Sequence, residues 1–155
     1  MEYSELNFGK HKGRTLPQVI ISDPAWFFWA YNENILKERG YSREADDVCK
    51  KARNIKIPKD QPENFKAVYI RHFTGGFGGI QIVPKDQYII KNFKTTVGHI
   101  DLMKAWVSLN GKDRTGMDIL KMSLKEILFQ DIKVILTRKK CDEFFETDDN
   151  FLINN

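Results

Sequence analysis

Residues Phe8-Gly9-Lys10-His11-Lys12-Gly13-Arg14 set three permanent cations and one imidazole around two glycines four positions apart. Gly9 and Gly13 let the chain turn sharply and present backbone N–H groups. Lys10, His11, Lys12 and Arg14 would then project from a single bend, an arrangement that can clamp phosphate oxygens. The same residues also suit a plain hairpin turn whose lysines face water, and both readings stay open. A second cationic group, Lys50, Lys51, Arg53 and Lys56 with Lys59 beyond it, falls where a helix end runs into a loop. It can extend a backbone-tracking groove or be a solvated helix end. In Gly75-Gly76-Phe77-Gly78-Gly79 one aromatic, Phe77, occupies the middle of a glycine-rich turn. There it can stack on an unpaired base or fold back onto its own sheet.

Catalytic chemistry has thinner support. His72-Phe73-Thr74 and His99-Ile100-Asp101 make an incomplete pair of H-x-T triplets, because only the first ends in Thr. Residues i and i+2 of a strand share a face, so a phosphodiesterase using His72 and His99 remains an alternative only if the two imidazoles converge. Nucleophile-elbow, Walker, H-E-x-x-H and dinucleotide signatures are missing. Asp46-Asp47 and Asp148-Asp149 read as solvated faces. Cys49 and Cys141 lack neighbouring ligands at metal spacing and read as buried free thiols. The expectation is therefore a non-enzymatic protein with no catalytic residues, no metal and no cofactor.

Composition narrows the class further. The chain has 155 residues, 41% hydrophobic and 30% charged, which excludes a disordered polymer and favours one domain. No apolar run reaches the roughly 20 residues of a bilayer span, and the polar start lacks a secretory core, so a cytoplasmic protein with no membrane partner is expected. The formal charge is +4, unevenly spread. After Cys141 come five acidic and no basic residues, leaving 25 basic against 16 acidic over residues 1–141. Such a body attracts polyanions.

The elements that must hold these groups follow from local signals. Residues 5–9 and 14–16 suggest a short β-turn-β element, and Pro17–Ile21 an apolar connector. Ser22-Asp23-Pro24 marks a helix start; the helix should run from Pro24 to about Arg39, with Ala25, Phe28, Trp29, Asn32, Ile35 and Leu36 on one face and Gly40 ending it. A second helix is expected from Ser42 to about Asn54. The loop Lys59–Asn64 separates a sub-module 1–57, the bend and two helices, from a sub-module 65–155, a hairpin sheet with helices. Strands are expected at 65–73 and 80–83 around a glycine turn, then at 88–93, 95–100 and 133–136. Helices should follow Asp101, begin near Asp118, and start at Thr137. The fold class is α+β, a small, mostly antiparallel sheet flanked by four to five helices within the single domain 1–155.

Phe8-Gly9-Lys10-His11-Lys12-Gly13-Arg14-Thr15-Leu16, followed by Asp23-Pro24-Ala25-Trp26-Phe27-Phe28-Trp29-Ala30, resembles the F-G-K-x-K-G module at the C-terminal end of exonuclease X-like proteins. Similar modules occur in small stand-alone phage and bacterial proteins, and the likeness covers roughly residues 6–37. Thr137–Phe145 resembles the tail of those stand-alone proteins. The resemblance implies a nucleic-acid-associated accessory module of phage or bacterial type; the nuclease's acidic metal-binding motifs have no counterpart here. The leading expectation is a protein that binds nucleic acid largely without regard to sequence through Lys10, His11, Lys12, Arg14, Lys50, Lys51, Arg53, Lys56 and Phe77, with single strands favoured by the aromatics. A protein–protein adaptor or inhibitor of a host enzyme is the alternative.

Overall fold

The computed structural model describes residues 1–109 and 113–153. The fold is α+β. Among the described residues it has seven α-helices and two small antiparallel sheets of two and three strands. The first helix, α1 (Leu16–Ser22), stands where a connector was expected. Thr15 caps it, accepting from the Gln18 N–H while the Gln18 side chain reaches back to the Thr15 N–H, and Pro17 occupies its first turn. This reciprocal cap is worth about 1 kcal/mol. It sets Leu16, Val19, Ile20 and Ile21 in the core.

Asp23 caps α2 (Pro24–Asn32) through Trp26 N–H. The expected single helix to Arg39 breaks at Asn34, whose φ of 60° is left-handed, and resumes as α3 (Ile35–Glu38). Asparagine tolerates that conformation better than most residues, so the polar Asn32-Glu33-Asn34 run yields a corner. Gly40, at φ +91°, ends α3, and α4 (Ser42–Ala52) follows.

Strand β1 (Ile55–Lys56) pairs with β5 (His99–Ile100). The larger sheet has the order β3-β2-β4, from β2 (Phe65–Arg71), β3 (Phe77–Pro84) and β4 (Lys94–Val97). Gly98, at φ +79°, splits the expected strand 95–100 into β4 and β5. Because β3 and β4 flank β2 and both run against it, residues 85–93 must cross over the sheet, and they form no strand. Ala67, Tyr69 and Ile80 face the main core. Val68 and Val83 are buried outside that core, and Lys66, paired with Val83, donates to the Gln87 carbonyl at 2.8 Å. The crossover therefore lies over the outer face.

Three helices complete the chain: α5 (Leu102–Val107), α6 (Arg114–Phe129) and α7 (Arg138–Glu146). Asp101, Asp113 and Thr137 cap them. The expected strand at 133–136 is irregular chain. One hydrophobic core runs from Tyr3 and Leu6 through the helices to Phe145 and Phe151. The C-terminal stretch joins it through Phe145 and Phe151, while Glu143, Glu146, Asp148 and Asp149 stay exposed. Asp142 is buried and accepts from the Thr15 hydroxyl at 2.6 Å, tying α7 to the cap of α1.

Candidate nucleic-acid interface

The bend at residues 6–14 is closed by backbone hydrogen bonds. Leu6 N–H donates to the Arg14 carbonyl at 2.8 Å and Gly13 N–H to Leu6 at 2.8 Å. Gly9 and Gly13 take φ of +72° and +87°, where a side chain would be strained. Trp26 of α2 braces the bend from behind, with its ring 5.0 Å from the His11 imidazole in an edge-to-face arrangement and 6.2 Å from Phe8. The Arg39 guanidinium lies over the Phe8 ring, 4.8 Å from its centroid.

The cations of this bend do not all project. His11 is buried, with Nε2 2.9 Å from Asp23 Oδ2, and Lys10 Nζ lies 3.0 Å from the same oxygen. A histidine expected to meet phosphate is instead a strut between the bend and α2. Burial, the strongest single influence on Asp23, pushes its carboxyl up. Hydrogen bonds from His11, Lys10 and Trp26 N–H, with the Lys10 charge, outweigh burial and hold the group below its ordinary value. Lys12 and Arg14 are exposed and, among the described residues, ion-pair with no carboxylate.

The second cationic group also divides. Lys51 points inward and is 8% exposed. Its ammonium donates to the Phe145 carbonyl at 2.8 Å and the Tyr3 hydroxyl at 3.3 Å, and pairs with Asp47 at 3.3 Å. It is a staple between α4 and the end of α7, not a phosphate contact. Arg53 is turned onto the buried Asp101 at 3.4 Å. Lys50 and Arg53 share a depression of about 420 Å³ with Tyr31, Asp46, His99 and Asp101. Lys56 sits across from His99 in the β1–β5 pair and lines, with Lys59, a separate groove of about 560 Å³. The bend and this group occupy opposite ends of α4. Phe8 packs on Tyr41 at the start of the helix, and 11 residues at 1.5 Å each separate the ends by about 16 Å.

Phe77 is not at an exposed tip. It is 1% exposed, in β3, with its N–H donated to Asp113 Oδ2 at 2.9 Å. The turn comes earlier than the glycines suggest. His72 N–H bonds to the Gly76 carbonyl and Gly75 N–H to His72, with Gly75 at φ +92°. That is a three-residue Phe73-Thr74-Gly75 loop with a glycine in the left-handed position. Phe73 takes the outer corner and is 94% exposed. Lys91 of the crossover lies over its ring, 5.6 Å from the centroid.

The two histidines weighed for catalysis do not meet. His72 lies past the Tyr69–Lys94 end of β2, against Gly78. His99 lies past the Lys66–Val97 end, with Nδ1 3.0 Å from the Val97 carbonyl and Lys50 and Arg53 as neighbours. Six residue steps, about 20 Å of extended chain, separate positions 66 and 72. Both cysteines are buried free thiols, and burial, the leading cause, pushes Cys141 up to about 12 and Cys49 upward. Among the described residues no three His, Cys, Asp or Glu side chains gather to hold a metal ion, and no helix is long and apolar enough to cross a membrane. Phe73 and Lys91 are the residues that sequence reasoning passed over; the signal was the loop rule that puts the left-handed glycine third. No protein-family model matches the chain, and no curated protein or solved structure is significantly similar to it.

Proposed function

We propose that this chain is a non-enzymatic nucleic-acid-binding accessory protein that holds the phosphate backbone largely without regard to sequence. The observation that carries the reading is the pair Lys12 and Arg14: exposed and, among the described residues, unpaired with any carboxylate, on a bend fixed by its own hydrogen bonds and by Trp26. A bend whose backbone is already fixed avoids the cost of ordering its loop on meeting phosphate, and lysine contacts report phosphates rather than base edges. The likeness of residues 6–37 to the exonuclease X-like module belongs to the same proposal. Lys10 serves it only in part, since Asp23 shares its charge. Lys50 and Lys56 are secondary contacts on a separate surface.

The test is the salt dependence of binding to oligonucleotides of unrelated sequence. Each phosphate contact contributes about 0.7–0.9 to the log–log slope. The double variant Lys12→Ala/Arg14→Ala should therefore flatten the slope by about 1.4–1.8 on every sequence. Far-UV circular dichroism should stay unchanged, because both side chains are exposed. An unaltered slope removes the bend from the interface.

A further inference from the structure

Charge is concentrated on the three-stranded unit in a way that the whole-chain total conceals. Residues 65–97 contain Lys66, Arg71, Lys85, Lys91 and Lys94 against the single acid Asp86. They account for the entire formal charge of +4, and the remainder of the chain balances 20 basic against 20 acidic residues. Among the described residues none of these five cations ion-pairs with a carboxylate. Among the described residues Lys66 and Arg71 donate only to backbone carbonyls, of Gln87 and Gly75.

The same unit exposes large apolar side chains that a core would normally claim. Phe73 is 94%, Tyr88 81% and Ile90 87% exposed. Phe73 stands on the hairpin corner, and Tyr88 and Ile90 on the crossover that covers the outer face of the sheet. Tyr88 stands three positions before Lys91, which itself lies over Phe73. The α-carbons of Tyr88 and Lys91 are thus within about 10 Å. Exposed aromatics interleaved with unneutralised cations are what a single strand requires, since the bases stack while the cations track phosphates. A duplex hides its base faces and can use only the cations.

We infer that the outer face of the three-stranded sheet, built from the Phe73 corner and the crossover bearing Tyr88 and Lys91, binds unpaired single-stranded nucleic acid by base stacking. This rests on the proposed backbone binding and adds the class of substrate. Charge complementarity selects the occupant: a face with five cations and one acid suits a polyanion.

The experiment compares an oligothymidylate of about 20 nucleotides, longer than the roughly 4–16-nucleotide sites of comparable single-strand modules, with the same strand annealed to its complement. Stacking on one aromatic is worth about 1–3 kcal/mol, so Phe73→Ala should weaken single-strand binding about 5- to 150-fold. Tyr88→Ala should lie in the lower part of that range, and both should leave duplex affinity within about twofold. Phe73→Tyr should restore binding, because its ring keeps the π-face. Unchanged single-strand affinity in Phe73→Ala, with the wild-type salt slope intact, overturns the stacking face while leaving the backbone reading standing. Wild-type protein that binds neither probe overturns both. Loss of a nuclease-resistant protein partner with unchanged oligonucleotide affinity gives the face to a protein and also overturns the inference.

Discussion

Asp23 shows how one side chain can settle what a run of charges does. Its Oδ1 accepts from Trp26 N–H at 3.3 Å and caps α2. Its Oδ2 takes both Lys10 and His11. The bend is thus pinned to the helix by a carboxylate that also removes charge from the bend. A carboxyl held below its unfolded value contributes stability above that value and loses it as pH falls through the folded one. For Asp23 this window lies below about pH 4, since the ordinary value is 3.8 and the shift is downward. Asp23→Asn keeps a capping oxygen but not the charge, so at neutral pH it should cost about 2 kcal/mol of unfolding free energy. Urea titrations at descending pH should find the gap between wild type and variant narrowing below about pH 4. A gap of constant size down to about pH 3 would assign the cost to packing instead.

Asp113 plays the corresponding part between two elements. It caps α6 by accepting from Gly116 N–H at 2.8 Å and holds the hairpin by accepting from Phe77 N–H at 2.9 Å. The N–H groups of Phe77 and then Gly116 lower its carboxyl below the ordinary range. Asp113→Ala should cost about 1–2 kcal/mol. It should also speed amide exchange at Phe77 more than at Tyr69, in the middle of β2; equal acceleration at both would mean that the hairpin is not held from α6. Caps were the most legible part of this fold. Asp23, Asp101 and Thr137 each stand where residue type and spacing place them, because a cap is decided within four residues. The Thr15-x-x-Gln18 cap was equally readable, yet the apolar run after it resembled a connector. Strands failed where a neighbour was needed: residues 88–93 and 133–136 have β-forming side chains but no ladder partner. The site suffered most from long-range contacts. Lys51 looks like any cation of a helix end, and the carbonyl it meets lies 94 residues further on.

For the whole molecule, the proposed function turns on whether net charge or its location would draw in a polyanion. A folded chain of this length has a radius of gyration of about 15 Å, so its far sides are about 30 Å or more apart. The Debye length at physiological ionic strength is about 8 Å. A cation on the far side is then nearly invisible to a strand lying on the sheet, and only local cations release counterions. Two triple variants separate the cases. Lys85→Gln/Lys91→Gln/Lys94→Gln and Lys37→Gln/Lys139→Gln/Lys140→Gln both lower the formal charge from +4 to +1. If the sheet unit is where the strand lies, the first set should flatten the single-strand salt slope by about 2 and the second by less than about 0.5. Equal losses from the two sets would mean that binding follows total charge and has no fixed seat. The comparison is sharpest at about 0.15 M salt, because lower ionic strength lengthens the reach of the remote lysines and blurs the contrast.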